Sequence, residues 1–182
     1  MSLAGIENTI NPSLFEKAQS IYNILIESYG LPRWRNRLSP MDELISTILS
    51  QNTNDANRDT AFKRLKEKIP SWEAVRDAPI ADVIEAIKPA GLANQKGTRI
   101  QAILHQISIE KGGLDLNFLK ELDREEARAW LSRFKGVGPK TAAIVLLFSL
   151  DIPAFPVDTH IYRVTGRLSL RPQKMSVEEA HR

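Results

Sequence analysis

Apolar side chains recur along most of this sequence at the three- and four-residue spacing of an α-helix. One stripe of this kind runs through residues 14–25 and another through residues 44–49. No convincing stretch alternates apolar and polar residues in the way a half-buried β-strand does. The pattern therefore predicts an all-α protein.

Residues that start and stop helices divide the chain at regular intervals. Predicted starts are Asn11-Pro12, Ser39-Pro40, Asn54 and Ser71, and Asp123 with Glu126 has the form of a capping box. The longer predicted helices cover residues 12–29, 55–68, 80–87, 94–109, 124–134, 139–150 and 158–168, and another starts at 40 with its apolar face extending to 49. A further helix is predicted to start at Ser176 with Glu179.

Amino-acid composition excludes several classes of protein but does not identify a function. Hydrophobic residues make up 42% of the chain and charged residues 26%, which is typical of a soluble globular protein. No apolar run approaches the ~18 residues of a membrane span. The absence of cysteine excludes disulfides and thiolate metal sites in these residues and fits a cytoplasmic protein. A net charge of +3 and a pI of 9.2 allow nucleic acid as a partner.

A glycine turn between two predicted helices is the first candidate site. Gly136 and Gly138 stand one residue apart, and Pro139 opens the next helix. Glycine allows backbone conformations that other residues avoid, and the N–H groups of a new helix suit a phosphate. An ordinary interhelical turn explains the glycines equally well. A phosphate-binding P-loop is excluded, because Pro139 precedes Lys140 where that motif has glycine.

A second candidate site lies about 18 residues further on, in the sequence PVDTHIYRV at 156–164. Asp158 is well placed as a helix N-cap, and capping alone would explain it. His160 is better explained by packing or hydrogen bonding than by metal binding. The chain has three histidines, and none is spaced as a zinc pair.

Together the two elements are far more specific than either one alone. GVGPKTA at 136–142 followed by VDTHIYRV at 157–164 resembles the endonuclease III branch of the helix-hairpin-helix (HhH-GPD) DNA glycosylase superfamily. The resemblance extends from about Leu31 to the end of the chain. It implies that Lys140 is the nucleophile and that Asp158 is the catalytic aspartate.

The resemblance also implies a set of DNA contacts. Backbone amides of the hairpin would hold a phosphate, and Asn52 would fill the space left by an extruded base. Endonuclease III usually has glutamine at the position of Asn52, whereas the 8-oxoguanine branch has asparagine. Leu92, after Gly91, would touch the opposite strand, and Lys96 and Arg99 would contact phosphates. The implied DNA-binding set is Gln51, Asn52, Leu92, Lys96, Gly136, Val137, Gly138 and Thr141.

Two metal groups found in the family bear on this chain. Related hairpins hold a monovalent cation through backbone carbonyls, which here would be those of Ser132, Phe134 and Val137. Many members also carry a [4Fe–4S] cluster on four cysteines, which a chain without cysteine cannot form. We therefore expect no cofactor within the chain. A cluster loop is expected beyond Arg182, because the last predicted helix is capped but interrupted; a clusterless member is the alternative.

The resemblance implies two helical domains with an active cleft between them. One is a six-helix domain at 33–150 that contains the hairpin. The other combines residues 6–32 with residues 151–182 and is incomplete at its C-terminal end. The acting form is expected to be a monomer, associated with the nucleoid in a bacterium or archaeon.

The implied function is base-excision repair by a bifunctional glycosylase and abasic-site lyase. Double-stranded DNA with a damaged base or an abasic site would be the partner, and an oxidised pyrimidine would be the target. Lys140 must attack as a neutral amine, which burial in a cleft and the positive start of its helix would favour. The alternatives are an 8-oxoguanine-directed glycosylase/lyase, indicated by Asn52, and a non-catalytic hairpin module, which would need neither Lys140 nor Asp158.

Overall fold

The structure is a computed structural model that describes residues 12–32 and 37–181. Within these residues the fold is all-α, as predicted, and contains no β-strand. None of the described helices is both long and apolar enough to span a membrane. The N-cap predicted at Asn11 lies outside the described residues.

Nine α-helices follow one another in the described part of the chain. They are α1 (Pro12–Tyr29), α2 (Pro40–Ser50), α3 (Asp55–Lys68), α4 (Trp72–Asp77), α5 (Ile80–Ile87), α6 (Ala93–Lys111), α7 (Arg124–Ser132), α8 (Pro139–Leu150) and α9 (Thr159–Arg167). Short 3-10 turns occur at Lys88–Ala90, Asn117–Glu121 and Glu179–His181.

The predicted caps explain why several helices start where they do. The side chains of Ser39, Asn54 and Ser71 each accept an N–H from the first turn of the helix that follows. Asp123 and Glu126 form both hydrogen bonds of a capping box at the start of α7. These contacts satisfy N–H groups that have no partner within the helix, so local sequence sets the helix starts.

Two predicted helices end differently in the structure. Helix α7 stops at Ser132, two residues before the predicted end, because the chain turns there toward the hairpin. The helix predicted from Ser176 is found in the described residues only as the 3-10 turn Glu179–His181. Its predicted cap is present, since the hydroxyl of Ser176 accepts the Glu179 N–H at 3.2 Å.

The described residues divide into two compact units. Residues 12–32 and 157–180 form one unit, and residues 37–156 with His181 form the other. In the larger unit, α2 packs against α3 and α8, and α6 packs against α4 and α5. The predicted domain boundaries and the predicted cleft stay predictions.

The larger unit contains the hydrophobic core. Its fully buried side chains include Leu44, Ile45, Ile48, Leu49, Leu65, Val83, Ile87, Ile100, Leu104, Ile107, Leu131 and Leu146. Helix α8 is buried on most of its circumference, as the apolar run at 142–150 predicts. The core thus fixes the helices from which three loops project: residues 51–54, residues 91–92 and the hairpin at 133–138.

Candidate functional site

The hairpin between α7 and α8 requires a glycine at position 136. Gly136 has a φ of +88°, in the left-handed region that residues with a side chain rarely adopt. A Cβ at this position would clash with the Arg99 side chain. The Gly136 carbonyl accepts a hydrogen bond from Nε2 of Gln51 at 2.9 Å. Both backbone conformation and close packing therefore explain this glycine.

Gly138 differs from Gly136, and our prediction that both glycines serve unusual backbone conformations is wrong for it. Gly138 is the N-cap of α8 with φ −89° and ψ 179°, a conformation open to any residue. A Cβ at this position would meet no atom within 4 Å. Gly138 also places no capping side chain over the helix start. The start of α8 is therefore sterically open to a ligand.

The structure corrects one of the predicted hairpin contacts with DNA, that of Val137. The Val137 N–H already donates to the Phe134 carbonyl at 2.9 Å, and its side chain is buried. The Thr141 side chain is only 6% exposed and packs inward, but its N–H lies in the first turn of α8, so the predicted contact of Thr141 with DNA stays a prediction. In the described part of the chain, the amides of Gly136 and Gly138 donate to no backbone carbonyl. These two amides remain the candidates for holding a phosphate.

Lys140 is the second residue of α8, directly beyond the open helix start. Its side chain is exposed, and its predicted burial in a cleft stays a prediction. This exposure leaves the amine accessible to a large substrate.

Asp158 starts α9 as the sequence predicts. One carboxylate oxygen, Oδ1, accepts the N–H of His160 at 3.0 Å and that of Ile161 at 2.8 Å. The carboxylate is held in a defined orientation by these two bonds, because both donors belong to the rigid first turn. Capping through one oxygen does not exclude a second role for the other.

Asn52, the predicted plug that fills the space of an extruded base, and Leu92, the predicted wedge against the opposite strand, share an unusual backbone conformation. Asn52 has a φ of +54° and Leu92 a φ of +49°. Both side chains are exposed, and Leu92 retains 51% of its accessible surface. Asparagine tolerates this region, whereas a leucine there is strained. An exposed leucine in a strained loop contributes little to the stability of the fold, which favours a role in contacting a binding partner.

The predicted phosphate contact of Lys96 is wrong. Lys96 is 2% exposed, and its ammonium donates to the carbonyls of Leu49 and Ala90, both at 2.7 Å. Burial lowers the pKa of this ammonium, and the nearby charge of Arg99 lowers the pKa further. An ammonium enclosed in this way cannot reach a DNA phosphate.

Arg99 and Gln51 also have partners within the protein. Nη1 of Arg99 donates to Oε1 of Gln51 at 2.7 Å, and Gln51 in turn donates to the Gly136 carbonyl. The side chains of Arg99 and Gln51 are half-buried. Arg99 therefore lies over the hairpin as a supporting residue. The predicted contact of Gln51 with DNA stays a prediction.

A feature of the sequence could have revealed the burial of Lys96. Lys96 lies four residues before Ile100, and Ile103 and Ile107 continue the same stripe along α6. All three isoleucines are buried in the core. A lysine at the head of a buried stripe points inward, since residues at this spacing share a helix face.

The predicted monovalent-cation site needs only backbone carbonyls, whereas a [4Fe–4S] cluster needs cysteines. The Phe134 carbonyl accepts one N–H, which leaves a lone pair for a cation. The cation site at Ser132, Phe134 and Val137 stays a prediction. Residues 12–32 and 37–181 contain no group of His, Cys, Asp or Glu that could hold a metal ion. The sequence has no cysteine, so its residues do not fit a [4Fe–4S] cluster.

Two helices joined by an open glycine turn, within an all-α unit, have the form of a helix-hairpin-helix motif. Residues 45–182 match the family model of the HhH-GPD superfamily of base excision DNA repair proteins. The chain belongs to this superfamily, and its relatives place it in the endonuclease III-like branch.

Individual relatives agree with this assignment. The chain is 42% identical over 135 residues, 74% of its length, to an Arabidopsis thaliana protein described as a candidate DNA glycosylase, of which it spans 46%. It is 36% identical over 161 residues, 85% of its length, to endonuclease III of Sulfolobus acidocaldarius, of which it spans 68%. A trapped endonuclease III–DNA covalent intermediate has the same fold, with a TM-score of 0.73 and 27% identity; the match covers 91% of this chain and 75% of that one.

Proposed function

We propose that this protein is a base-excision DNA glycosylase that also cleaves the strand as an abasic-site lyase. Its partner is double-stranded DNA with a damaged base or an abasic site, and the acting form is a monomer without a cofactor bound by these residues. Lys140 is the nucleophile, and Asp158 assists it. Family membership and the resemblance of GVGPKTA and VDTHIYRV to endonuclease III support this proposal.

The observation that carries the proposal is the exposed Lys140 in the first turn of α8, beside the open helix start at Gly138. The amides of Gly136 and Gly138 would bind a DNA phosphate, because helix starts attract anions. A phosphate held there would bring the adjoining sugar near the amine. A DNA-binding module without activity would have no need of a lysine at this position.

The proposed chemistry uses the amine as a nucleophile and as an electron sink. The Nζ lone pair of neutral Lys140 forms a bond to C1′, and the base leaves with the electrons of its bond to C1′ and is protonated. Opening of the C1′–O4′ bond, as one Nζ proton passes to Asp158 and from there to O4′, gives a protonated Schiff base. Removal of a C2′ proton then expels the 3′ phosphate, and water releases the lysine. Asp158 would accept the Nζ proton and stabilise positive charge on the sugar.

Asn52 and Leu92 would serve base extrusion instead of bond chemistry. Flipping a nucleotide out of the duplex costs a few kcal/mol, and side chains that fill the vacated space limit its return. Both residues are exposed and held in left-handed conformations, which suits side chains presented to a partner.

The proposed target is an oxidised pyrimidine, in line with the endonuclease III-like sequence. An oxidised purine is the second candidate, because Asn52 stands where endonuclease III usually has glutamine. Duplexes with single lesions of each kind, tested side by side, will separate the two. Excision of 8-oxoguanine alone would favour the second candidate.

Borohydride trapping tests the nucleophile directly. The reductant converts a Schiff base into a stable protein–DNA adduct, so Lys140→Gln should abolish the adduct and largely preserve DNA affinity. Lys135→Gln is the matched control, because Lys135 is also exposed and lies in the hairpin five residues earlier. A folded Lys140→Gln protein that still forms the adduct at a near-normal rate would refute the mechanism.

Asp158→Asn tests the assisting carboxylate. The amide oxygen of asparagine can keep both capping bonds of α9, so folding should be retained. Base release should nevertheless fall strongly, and the losses from the Lys140 and Asp158 substitutions should not add, because the two act as a unit. If Asp158→Asn keeps full activity and an unchanged melting temperature, the role of Asp158 is limited to capping α9.

A further inference from the structure

The buried ammonium of Lys96 joins the bases of two loops. It donates to the Leu49 carbonyl, just before the loop that carries Asn52, and to the Ala90 carbonyl, just before Leu92. Within the described residues it is the only donor that reaches either carbonyl. One side chain therefore connects segments that lie 41 residues apart in sequence, since the two bonds span 47 and 6 residues.

Arg99 extends this connection to the hairpin. It follows Lys96 by three residues and so lies on the same side of α6. Its guanidinium donates to Gln51, and Gln51 donates to the Gly136 carbonyl. The Arg99 side chain also occupies the space where a Cβ of residue 136 would stand. Loop 51–54 is thereby held to the hairpin as well as to the wedge loop.

We propose that Lys96 and Arg99, acting with Gln51, are positioning residues that hold the Asn52 loop, the Leu92 loop and the Gly136–Gly138 hairpin in one fixed arrangement for DNA. We call these three side chains the α6 brace. The proposal rests on the proposed function, because it assigns the brace to the extrusion of a nucleotide.

Burying the Lys96 ammonium costs hydration free energy, and an apolar side chain would fill the same space in the core without that cost. An ammonium loses favourable hydration when it is buried and is retained only with strong partners. Leu49 lies in the last turn of α2 and Ala90 ends a 3-10 turn, so both carbonyls carry the partial negative charge of a helix end. A plug and a wedge act only when they are held to within about 0.5 Å, which a charged crosslink between their loops can provide.

Hydrogen exchange tests the brace without DNA. Lys96→Met keeps the apolar stem but removes the ammonium, so amides at 50–54 and 88–95 should exchange at least ten-fold faster, while those of α8 should not. Arg99→Met should instead raise exchange at 51–53 and 134–138. Lys88→Met is the control, since Lys88 is exposed and near the same loop. Unchanged exchange in both brace variants overturns the proposal.

Activity on two substrates tests what the brace is for. Lys96→Met should slow excision from duplex DNA at least ten-fold and leave adduct formation at an abasic site within about three-fold, because an abasic site needs less unstacking. The loss should be smaller in a Leu92→Ala background, since both changes act through the same wedge. Equal losses on the two substrates, or full additivity, contradict a positioning role.

The salt dependence of DNA binding separates the brace from a phosphate contact. The slope of log affinity against log salt should be the same for Lys96→Met and the parent. A slope reduced by about one would show that Lys96 neutralises a phosphate and would overturn the proposal. If Lys96→Met does not fold, Arg99→Met decides the question by the same measurements. If the parent excises no lesion, the proposed function fails, and exchange alone still decides the brace.

Discussion

The interior of the larger unit and the loops at its edge differ in side-chain burial and in backbone conformation. In the interior, Leu44, Ile48 and Leu65 are fully buried in regular helices that local caps start. At the edge, Asn52 and Leu92 are exposed and have left-handed backbone conformations. Folding explains the first region well and the second poorly.

The difference is sharpest at Leu92, whose conformation and exposure do not favour stability. A leucine with φ +49° and half of its surface exposed gains little from burial and retains backbone strain. Such local conflicts tend to concentrate at functional sites, because elsewhere a better residue would replace them. Here the conflict falls on Leu92, a position assigned to DNA from the sequence.

The largest expected effect on stability comes from truncating a side chain in the buried interior. Leu44→Ala should lower the free energy of unfolding by about 2–5 kcal/mol, because it leaves a cavity in a packed core. Ile109→Ala removes a side chain that is 83% exposed and should change stability by less than about 0.5 kcal/mol. Urea denaturation measures both. Equal losses would break the distinction between the two regions.

The two hairpin glycines should respond in opposite ways to the same substitution. Gly136→Ser forces a side chain into the left-handed region and against Arg99, and we expect a loss of roughly 1–2 kcal/mol. Gly138→Ser has room and adds a good N-cap, so it should gain a few tenths of a kcal/mol. Thermal and urea unfolding of the pair provide the measurement.

DNA binding should not follow these stabilities. Gly138→Ser should weaken affinity for every duplex, because the new side chain occupies the helix start where a phosphate would bind. The steep fall of affinity with salt should become shallower in this variant. Unchanged affinity with unchanged salt dependence would show that the open start of α8 does not contact the backbone of DNA.

Features set by neighbouring residues could be predicted from the sequence. The caps at Ser39, Asn54 and Asp123 and the bounds of α8 are confirmed, because each depends on residues within one helical turn. The all-α class followed from the same local periodicity. Of the candidate site, Asp158 as an N-cap is confirmed for the same reason.

Features set by distant residues were missed. The partners of Lys96 include a carbonyl 47 residues away, so a surface phosphate contact was the simpler interpretation. Gly136 and Gly138 look alike in sequence, but only Gly136 is packed beneath a side chain from α6. The strain at Leu92 depends on how α6 is joined to the preceding turn, which no local pattern reports.

Relieving the strain in the wedge loop should separate stability from activity. Asparagine tolerates the left-handed conformation at position 92, and the leucine it replaces is exposed, so Leu92→Asn should change stability by less than about 1 kcal/mol. Excision from duplex DNA should fall roughly ten-fold, as expected when a flipped base is no longer held out. Ser169→Gly is the control: Ser169 also has a positive φ, of +51°, and lies outside the site. Glycine there should stabilise the protein and leave excision unchanged.

The smallest effect concerns a polar group on the buried side of the comparison, the imidazole of His181. Burial lowers its pKa from 6.5, the Phe155 carbonyl opposes this, and the charges of Arg128 and Lys140 lower the pKa further. The unfolded chain therefore takes up a proton before the folded one does. Stability should fall as pH drops below about 6.5 and level off below the folded pKa. Tm of the parent should lose roughly 1–2 °C more than that of His181→Gln between pH 7.5 and 5; parallel curves would show that His181 does not titrate differently on folding.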